Sequence, residues 1–117
     1  MSTKTDNTYH HGNLREELLH KAISIIREKG VEKLSLRALA RDVGVSQTAP
    51  YRHFTDKNEL LAELATLALQ ELANEFLASI TLGKSAPENI QNAGEVYLRY
   101  AFDNPEKYRL MFGPTIS

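Results

Sequence analysis

The stretch SLRALARDVGVSQTAPYRHF, residues 35–54, decides the fold because it holds two short helical patterns separated by a glycine turn. In its first half the apolar residues follow the i, i+3, i+4, i+7 spacing of one helix face, namely Leu36, Leu39, Ala40 and Val43. Ser35 is a favourable N-cap, and Gly44 can end this helix in a left-handed conformation. A second helix is predicted from Gln47 to Phe54, with Ser46 as its N-cap. Two short helices joined by such a turn form a helix-turn-helix.

The predicted second helix has a polar outer face, which suits contact with DNA. The major groove of B-DNA is about 12 Å wide and admits one α-helix. In a helix-turn-helix, the second helix presents its first residues to base edges while the first helix crosses the backbone. The residues on this outer face are Gln47, Thr48, Tyr51 and Arg52. Two plainer interpretations stay open, with Gln47 as a solvated helix residue and Tyr51 as a core aromatic.

A helix before this stretch is predicted from Leu14 to Lys29 by apolar residues at helical spacing. Asn13 and Glu16 fit the capping-box pattern at its start. Gly30 fits the position just after its end, where a positive φ is favourable. Residues 1–11 are polar and are expected to form a flexible arm.

After this stretch, a long helix is predicted from about Lys57 to Ile80, starting at a capping-box pattern of Asp56 and Glu59. Apolar residues cover more than half of its circumference, which indicates burial on two sides. A further helix is predicted to start at Ser85 and end near Asp103, followed by one that begins at Asn104 and Pro105. The sequence contains no strand pattern, so an all-α fold is expected.

Charge is distributed unevenly along the chain, which is 117 residues long with a formal net charge of −1. Residues 1–57 hold ten Lys and Arg against seven Asp and Glu, whereas residues 58–117 hold four against eight. A polyanion such as DNA would therefore be attracted to the first half. No cysteine and no long apolar run is present, so no disulfide and no membrane span is expected, and the protein is predicted to be cytoplasmic.

The frame GVS, YRHF and DK followed by LL, between Gly44 and Leu61, resembles the N-terminal domain of the tetracycline-repressor (TetR/AcrR) family. The resemblance covers residues 12–72. It implies a three-helix DNA-binding domain over that range, with its motif at residues 35–54. It also implies that residues 73–117 begin a helical ligand-binding and dimerisation domain. Because members of the family are usually longer, this second domain is expected to be incomplete.

The resemblance also implies roles for individual residues. Tyr51, His53 and Lys57 are expected to contact phosphates of the DNA backbone. Gln47, Thr48 and Ala49 are expected to face the bases, and Arg37 to reach a base or a phosphate. Ser35 and Ser46 can combine capping with phosphate contacts, and the role of Arg52 in the DNA contact stays open. Plainer roles stay open for His53 as a structural hydrogen-bonding residue, for Lys57 as a surface charge and for Arg37 as an ion-pair partner. Pro50 departs from the family, which has a bulky aliphatic residue there, so the second helix can start one residue late.

The family further implies a homodimer on a near-palindromic double-stranded operator, a small-molecule effector and mostly repression. Two other classes of function fit the sequence less well. A helical interaction module would keep the fold without binding DNA, but it would not need Tyr51, His53 and Lys57. An enzyme is disfavoured, because the sequence shows no nucleophile with a base partner, no phosphate-binding glycine loop and no metal-ligand spacing. No cofactor is expected.

Overall fold

The computed structural model describes residues 13–80 and 83–113, which form five α-helices, two 3₁₀ helices and no strand. The α-helices are α1 (Leu14–Lys29), α2 (Leu36–Val43), α3 (Lys57–Ser79), α4 (Ala86–Asp103) and α5 (Pro105–Phe112). The 3₁₀ helices are Val31–Lys33 and Ala49–Arg52. The predicted all-α fold is confirmed, while the expected arm at residues 1–11 lies outside the described residues. No helix in the described ranges is long and apolar enough to cross a bilayer.

Backbone contacts divide the chain into two compact units, with the boundary between Leu60 and Leu61. We call the part up to Leu60 the first unit and the part from Leu61 the second unit. The domain boundary that the resemblance implies lies after residue 72. Both positions fall inside α3 (Lys57–Ser79), which runs continuously from one unit into the other.

Helix α1 has the predicted bounds and supplies much of the core of the first unit. Its buried residues are Leu18, Leu19, Ala22, Ile25 and Ile26. Acidic residues occupy its first turn and basic residues its last turn, which complements the helix dipole. The predicted capping box is wrong, because the Asn13 side chain makes no cap hydrogen bond.

Helix α2 begins and ends as the sequence predicts. The Ser35 Oγ accepts a hydrogen bond of 2.9 Å from the Ala38 backbone N–H. Gly44 adopts the left-handed conformation, with φ 89° and ψ 34°. Its N–H donates to the Ala40 carbonyl oxygen at 2.9 Å, so the chain turns sharply after α2. This turn is the part of the motif that sets the direction of the segment that follows.

The core of the first unit is formed by apolar side chains from α1, α2, the start of α3 and the chain between these helices. The members that are less than 5% exposed are Leu18, Leu19, Ala22, Leu34, Leu36, Leu39, Ala40, Pro50, Phe54 and Leu60. Full burial of one leucine or phenylalanine side chain stabilises a fold by about 1.5–3 kcal/mol. The apolar cluster therefore fixes α1, α2 and the chain around Phe54 as one framework.

The second unit has its own core, formed by Leu72 on α3 and by Val96 and Tyr100 on α4. The side chains of Phe76, Tyr97 and Met111 pack against this core. Helix α4 begins at a complete capping box, in which the Ser85 side chain and the Glu88 side chain each bind the other's backbone N–H.

Candidate nucleic-acid interface

The segment after the Gly44 turn, residues 47–54, differs from the predicted α-helix, and we call it the recognition segment. Only Ala49–Arg52 is helical, and it is a 3₁₀ helix. The Ala49 N–H donates to the Ser46 carbonyl oxygen at 3.1 Å, and the Tyr51 N–H donates to the Thr48 carbonyl oxygen at 3.1 Å. Proline has no N–H, so Pro50 cannot make the bond to residue 46 that an α-helix needs here. The Ser46 carbonyl oxygen is instead bound by the tighter i to i+3 pattern.

Four polar side chains of the recognition segment are exposed, as the sequence predicts, and they are Gln47, Thr48, Tyr51 and Arg52. Tyr51 is 54% exposed, which excludes the alternative of a core aromatic. Residues three apart in a 3₁₀ helix lie above one another, so Thr48 and Tyr51 share one side. Ala49 and Pro50 are buried. The segment therefore presents a polar surface while its middle is held in the core.

Ala49 does not lie where the resemblance placed it. Its side chain is only 6% exposed and belongs to the core of the first unit. A methyl group in this position packs against protein, so the proposed contact surface does not include Ala49. Ser46 also departs from its expected capping role, because no side chain caps the 3₁₀ helix. The Ser46 hydroxyl lies 3.3 Å from the Thr48 hydroxyl, and both are exposed.

The end of the recognition segment is anchored by Phe54, which is 1% exposed. The His53 ring is tilted against the Phe54 ring, with 6.2 Å between the ring centroids. The Arg15 guanidinium of α1 lies over the same ring, 5.5 Å from its centroid. Sequence reasoning missed Arg15, because no spacing pattern connects two residues so far apart in the chain.

Lys57 lies at the first position of α3 and is half-buried. Its Nζ donates a hydrogen bond of 2.7 Å to the Val31 carbonyl oxygen. An ammonium group has three donors, so this bond leaves donors that can reach a phosphate. The contact ties the 3₁₀ helix after α1 to the start of α3, and it places a positive charge a few residues beyond Tyr51 and His53.

Two carboxylates occupy the start of α3, but only one of the two hydrogen bonds of the predicted capping box forms, because the Glu59 side chain binds the Thr55 N–H and not that of Asp56. The Asp56 Oδ1 accepts a hydrogen bond of 2.9 Å from the Glu59 N–H, and the Glu59 carboxylate accepts one from the Thr55 N–H. The hydrogen bond from the Thr55 backbone lowers the pKa of Glu59. Because negative charge already occupies this helix start, a phosphate contact here depends on the Lys57 ammonium group rather than on backbone N–H groups.

The two expected contact residues at the start of α2 have different environments. The Arg37 side chain is exposed on the side away from the buried residues of α2. Ser35 uses its oxygen as a cap acceptor, while its hydroxyl hydrogen can still be donated. Within the described ranges, no group of three or more His, Cys, Asp or Glu side chains could hold a metal ion.

Part of the chain matches a known protein family. Residues 18–64 match the family described as "Bacterial regulatory proteins, tetR family". This range contains most of α1, all of α2, the recognition segment and the start of α3.

Solved structures show the same fold over most of the chain. A protein of unknown function from Rhodococcus sp. RHA1 is 36% identical with a TM-score of 0.80, over 93% of this chain and 59% of that one. The TetR family transcriptional regulator PfmR from Thermus thermophilus is 31% identical with a TM-score of 0.64, over 80% of this chain and 51% of PfmR. A tetR family protein from Shewanella sp. PV-4, 24% identical with a TM-score of 0.73, matches over 87% of this chain and 56% of that one. The chain thus spans between half and three fifths of the length of these structures.

Proposed function

The chain belongs to the tetR family of bacterial regulatory proteins, and on this premise we propose that it is a sequence-specific DNA-binding transcriptional repressor. The observation that carries the proposal is the exposed polar surface of the recognition segment on a buried apolar support. Such a support keeps the exposed side chains in one arrangement, so they can enter a groove without first being ordered.

The proposed contacts divide into two kinds. Gln47 and Thr48 face the base edges, and Tyr51, His53 and Lys57 bind phosphates. Phosphate contacts give affinity and register, whereas base contacts give sequence choice. We propose that Ser35, Arg37, Ser46 and Arg52 add further polar or charged contacts with phosphates or bases.

We further propose that two copies bind a near-palindromic operator and that a small molecule releases them. The recognition segments of a dimer enter successive major grooves about 34 Å apart. An effector lowers the affinity for DNA only if it prefers the conformation that fits DNA poorly. Because α3 carries Lys57 at its start and runs on through the second unit, a ligand that shifts α3 changes the position of that phosphate contact.

Selection of bound sequences from random duplex DNA tests the proposal directly. The expected output is a pair of inverted half-sites, and the affinity for the selected duplex should fall steeply with salt. Failure to bind any duplex in dilute salt contradicts the proposal. That outcome would favour the alternative of a helical interaction module, which keeps the fold without binding DNA.

Gln47→Ala is expected to change which bases are selected at one position of each half-site. A glutamine side chain pairs with adenine through two hydrogen bonds, and a good pair of this kind discriminates by about 1–3 kcal/mol against the wrong base. The selection is repeated with the variant and with Gln91→Ala, which removes an exposed glutamine from α4 as a control. If Gln47→Ala weakens binding equally to every sequence, Gln47 does not bind bases.

Lys57→Met is expected to weaken binding to all duplexes by roughly tenfold in dilute salt and to make the salt dependence shallower by about one phosphate per subunit. The variant also loses the hydrogen bond to the Val31 carbonyl oxygen. Thermal unfolding of the free protein measures that structural loss separately. Lys84→Met, which removes an exposed lysine from the second unit, is the control and should leave the salt dependence unchanged. An unchanged salt dependence for Lys57→Met would show that this lysine acts only within the protein.

A further inference from the structure

Arg15 is brought to the recognition segment by the fold, although 38 residues separate it from Phe54 in the chain. Its Cζ lies 5.5 Å from the centroid of the Phe54 ring, and the His53 ring lies 6.2 Å from the same centroid. The Arg15 side chain is exposed even though the Phe54 ring is buried. Arg15 therefore covers the outer side of the ring that anchors the segment.

A guanidinium group in this position can hold a phosphate. A guanidinium has five N–H donors in a planar fork, which is more than contact with a single ring can engage. Two of those donors match two phosphate oxygens, which makes arginine a strong phosphate ligand. The ring contact restricts the side chain, so less conformational entropy is lost when a phosphate binds.

Arg15 and His53 are close enough together for phosphates of one DNA strand. The two centroid distances to Phe54 mean that the guanidinium lies within about 12 Å of the imidazole. DNA carries one phosphate for about every 3.4 Å of axis along each strand. Both side chains can therefore reach phosphates of the same strand, at most a few nucleotides apart.

We propose that Arg15 binds a DNA phosphate near the one bound by His53, so that α1 contributes to the DNA interface. This inference rests on the proposed DNA-binding function. Helix α1 then contributes directly to the affinity for DNA, in addition to forming part of the core. The contact is independent of base sequence, because only a phosphate is bound.

The acidic residues next to Arg15 lead to a second prediction about DNA affinity. Glu16 and Glu17 follow Arg15 in the first turn of α1, and Glu16 is exposed. Their negative charges oppose the approach of a phosphate. Removing the exposed one by Glu16→Gln should therefore strengthen binding in dilute salt by a small factor, and high salt should abolish the gain.

The decisive experiment measures affinity against salt concentration for the wild type and three variants on the selected duplex, or on a random-sequence duplex if no site is selected. Arg15→Met keeps an unbranched apolar side chain on Phe54 but removes the charge, and Arg15→Lys keeps the charge without the planar fork. Arg27→Met is the control, because it removes an exposed arginine from the other end of α1. Thermal unfolding is recorded for each protein.

Arg15→Met is expected to bind every duplex several-fold more weakly, with a salt dependence shallower by about one phosphate per subunit. Arg15→Lys should recover the salt dependence, and Arg27→Met should behave like the wild type. The proposal is overturned if Arg15→Met unfolds at a lower temperature but keeps the wild-type salt dependence, because Arg15 then only stabilises Phe54. If the wild type itself binds no duplex, the proposed function fails first and the inference fails with it.

Discussion

Replacing Phe54 by alanine is expected to lower the free energy of unfolding of the first unit by about 3–5 kcal/mol. Phe54 is 1% exposed and contacts both the His53 ring and the Arg15 guanidinium. Its removal therefore takes away a large buried apolar surface and leaves a cavity that a fixed core only partly fills. Single domains are stable by about 5–15 kcal/mol, so a loss of this size is a large part of the total.

Chemical denaturation followed by circular dichroism measures this loss. Tyr51→Ala is the matched control, because it removes a ring three residues earlier that is 54% exposed. The control should change the free energy of unfolding by no more than about 0.5 kcal/mol, as is usual for surface positions. Equal losses for the two variants would show that Phe54 does not anchor the recognition segment.

The two variants also separate folding from DNA binding. Tyr51→Ala should fold normally and bind DNA weakly, since it removes a proposed phosphate contact. Phe54→Ala should lose DNA binding in parallel with the fraction of folded protein. A temperature series distinguishes the two, because only the affinity of Phe54→Ala should recover when cooling restores the folded state.

Much of the fold follows from apolar spacing in the sequence. The structure gives α1 and α2 the predicted bounds, and α3 ends one residue before the predicted Ile80. These helices are predictable because each has a stripe of apolar residues that must be buried on one side. The glycine turn is predictable for a different reason, since Gly44 has a φ of 89° that side chains with a Cβ rarely adopt.

The predictions fail where a local pattern is not enough. Asn13 has a favourable side chain for an N-cap, but its ψ of 35° is outside the extended conformation that capping needs. Ser35, with φ −153° and ψ 157°, does adopt that conformation and does cap. Asparagine and serine are both favourable N-cap residues, so the sequence predicts a cap at both positions. The backbone angles decide which side chain caps its helix, and these angles depend on the tertiary structure.

The recognition segment shows the same limit. The sequence indicates that Pro50 disturbs the helix, but residue spacing alone does not predict that the turn is 3₁₀ and that Ala49 is buried. Contacts between residues that are far apart in the sequence also cannot be predicted from local spacing. The Lys57 bond to Val31 spans 26 residues, and no periodic pattern carries information about it.

In the second unit, Tyr100→Phe is expected to lower the free energy of unfolding by about 1.5 kcal/mol, near the lower end for a hydrogen bond to a charged group. Tyr100 is 3% exposed, and its hydroxyl donates to the Glu71 Oε1 at 2.6 Å, with the Ala68 carbonyl oxygen 3.3 Å away. The Lys107 Nζ donates to the same Glu71 oxygen at 2.9 Å. The network therefore links α3, α4 and α5, and half-exposure of Glu71 to water keeps the loss small.

The same network predicts how stability depends on pH. Partial burial acts to raise the pKa of Glu71, but the hydrogen bonds from Tyr100 and Lys107 together with the Lys107 charge outweigh it, so the pKa is lowered. A carboxylate with a lowered pKa in the folded state contributes stability above its unfolded pKa of about 4.3. That contribution is lost as the pH falls through the lower folded value. Burial and the Glu71 hydrogen bond raise the pKa of Tyr100, so its contribution is lost only in strong alkali.

Glu71→Gln should therefore be less stable than the wild type at neutral pH, and the difference should shrink as the pH is lowered from about 5 through the acid range. The measurement is the difference in free energy of unfolding between the two proteins at a series of pH values. Glu95→Gln, which removes an exposed carboxylate from α4, is the control and should show a difference that stays near zero. A difference for Glu71→Gln that is the same at pH 7 and in acid would mean that the Glu71 charge does not stabilise the second unit.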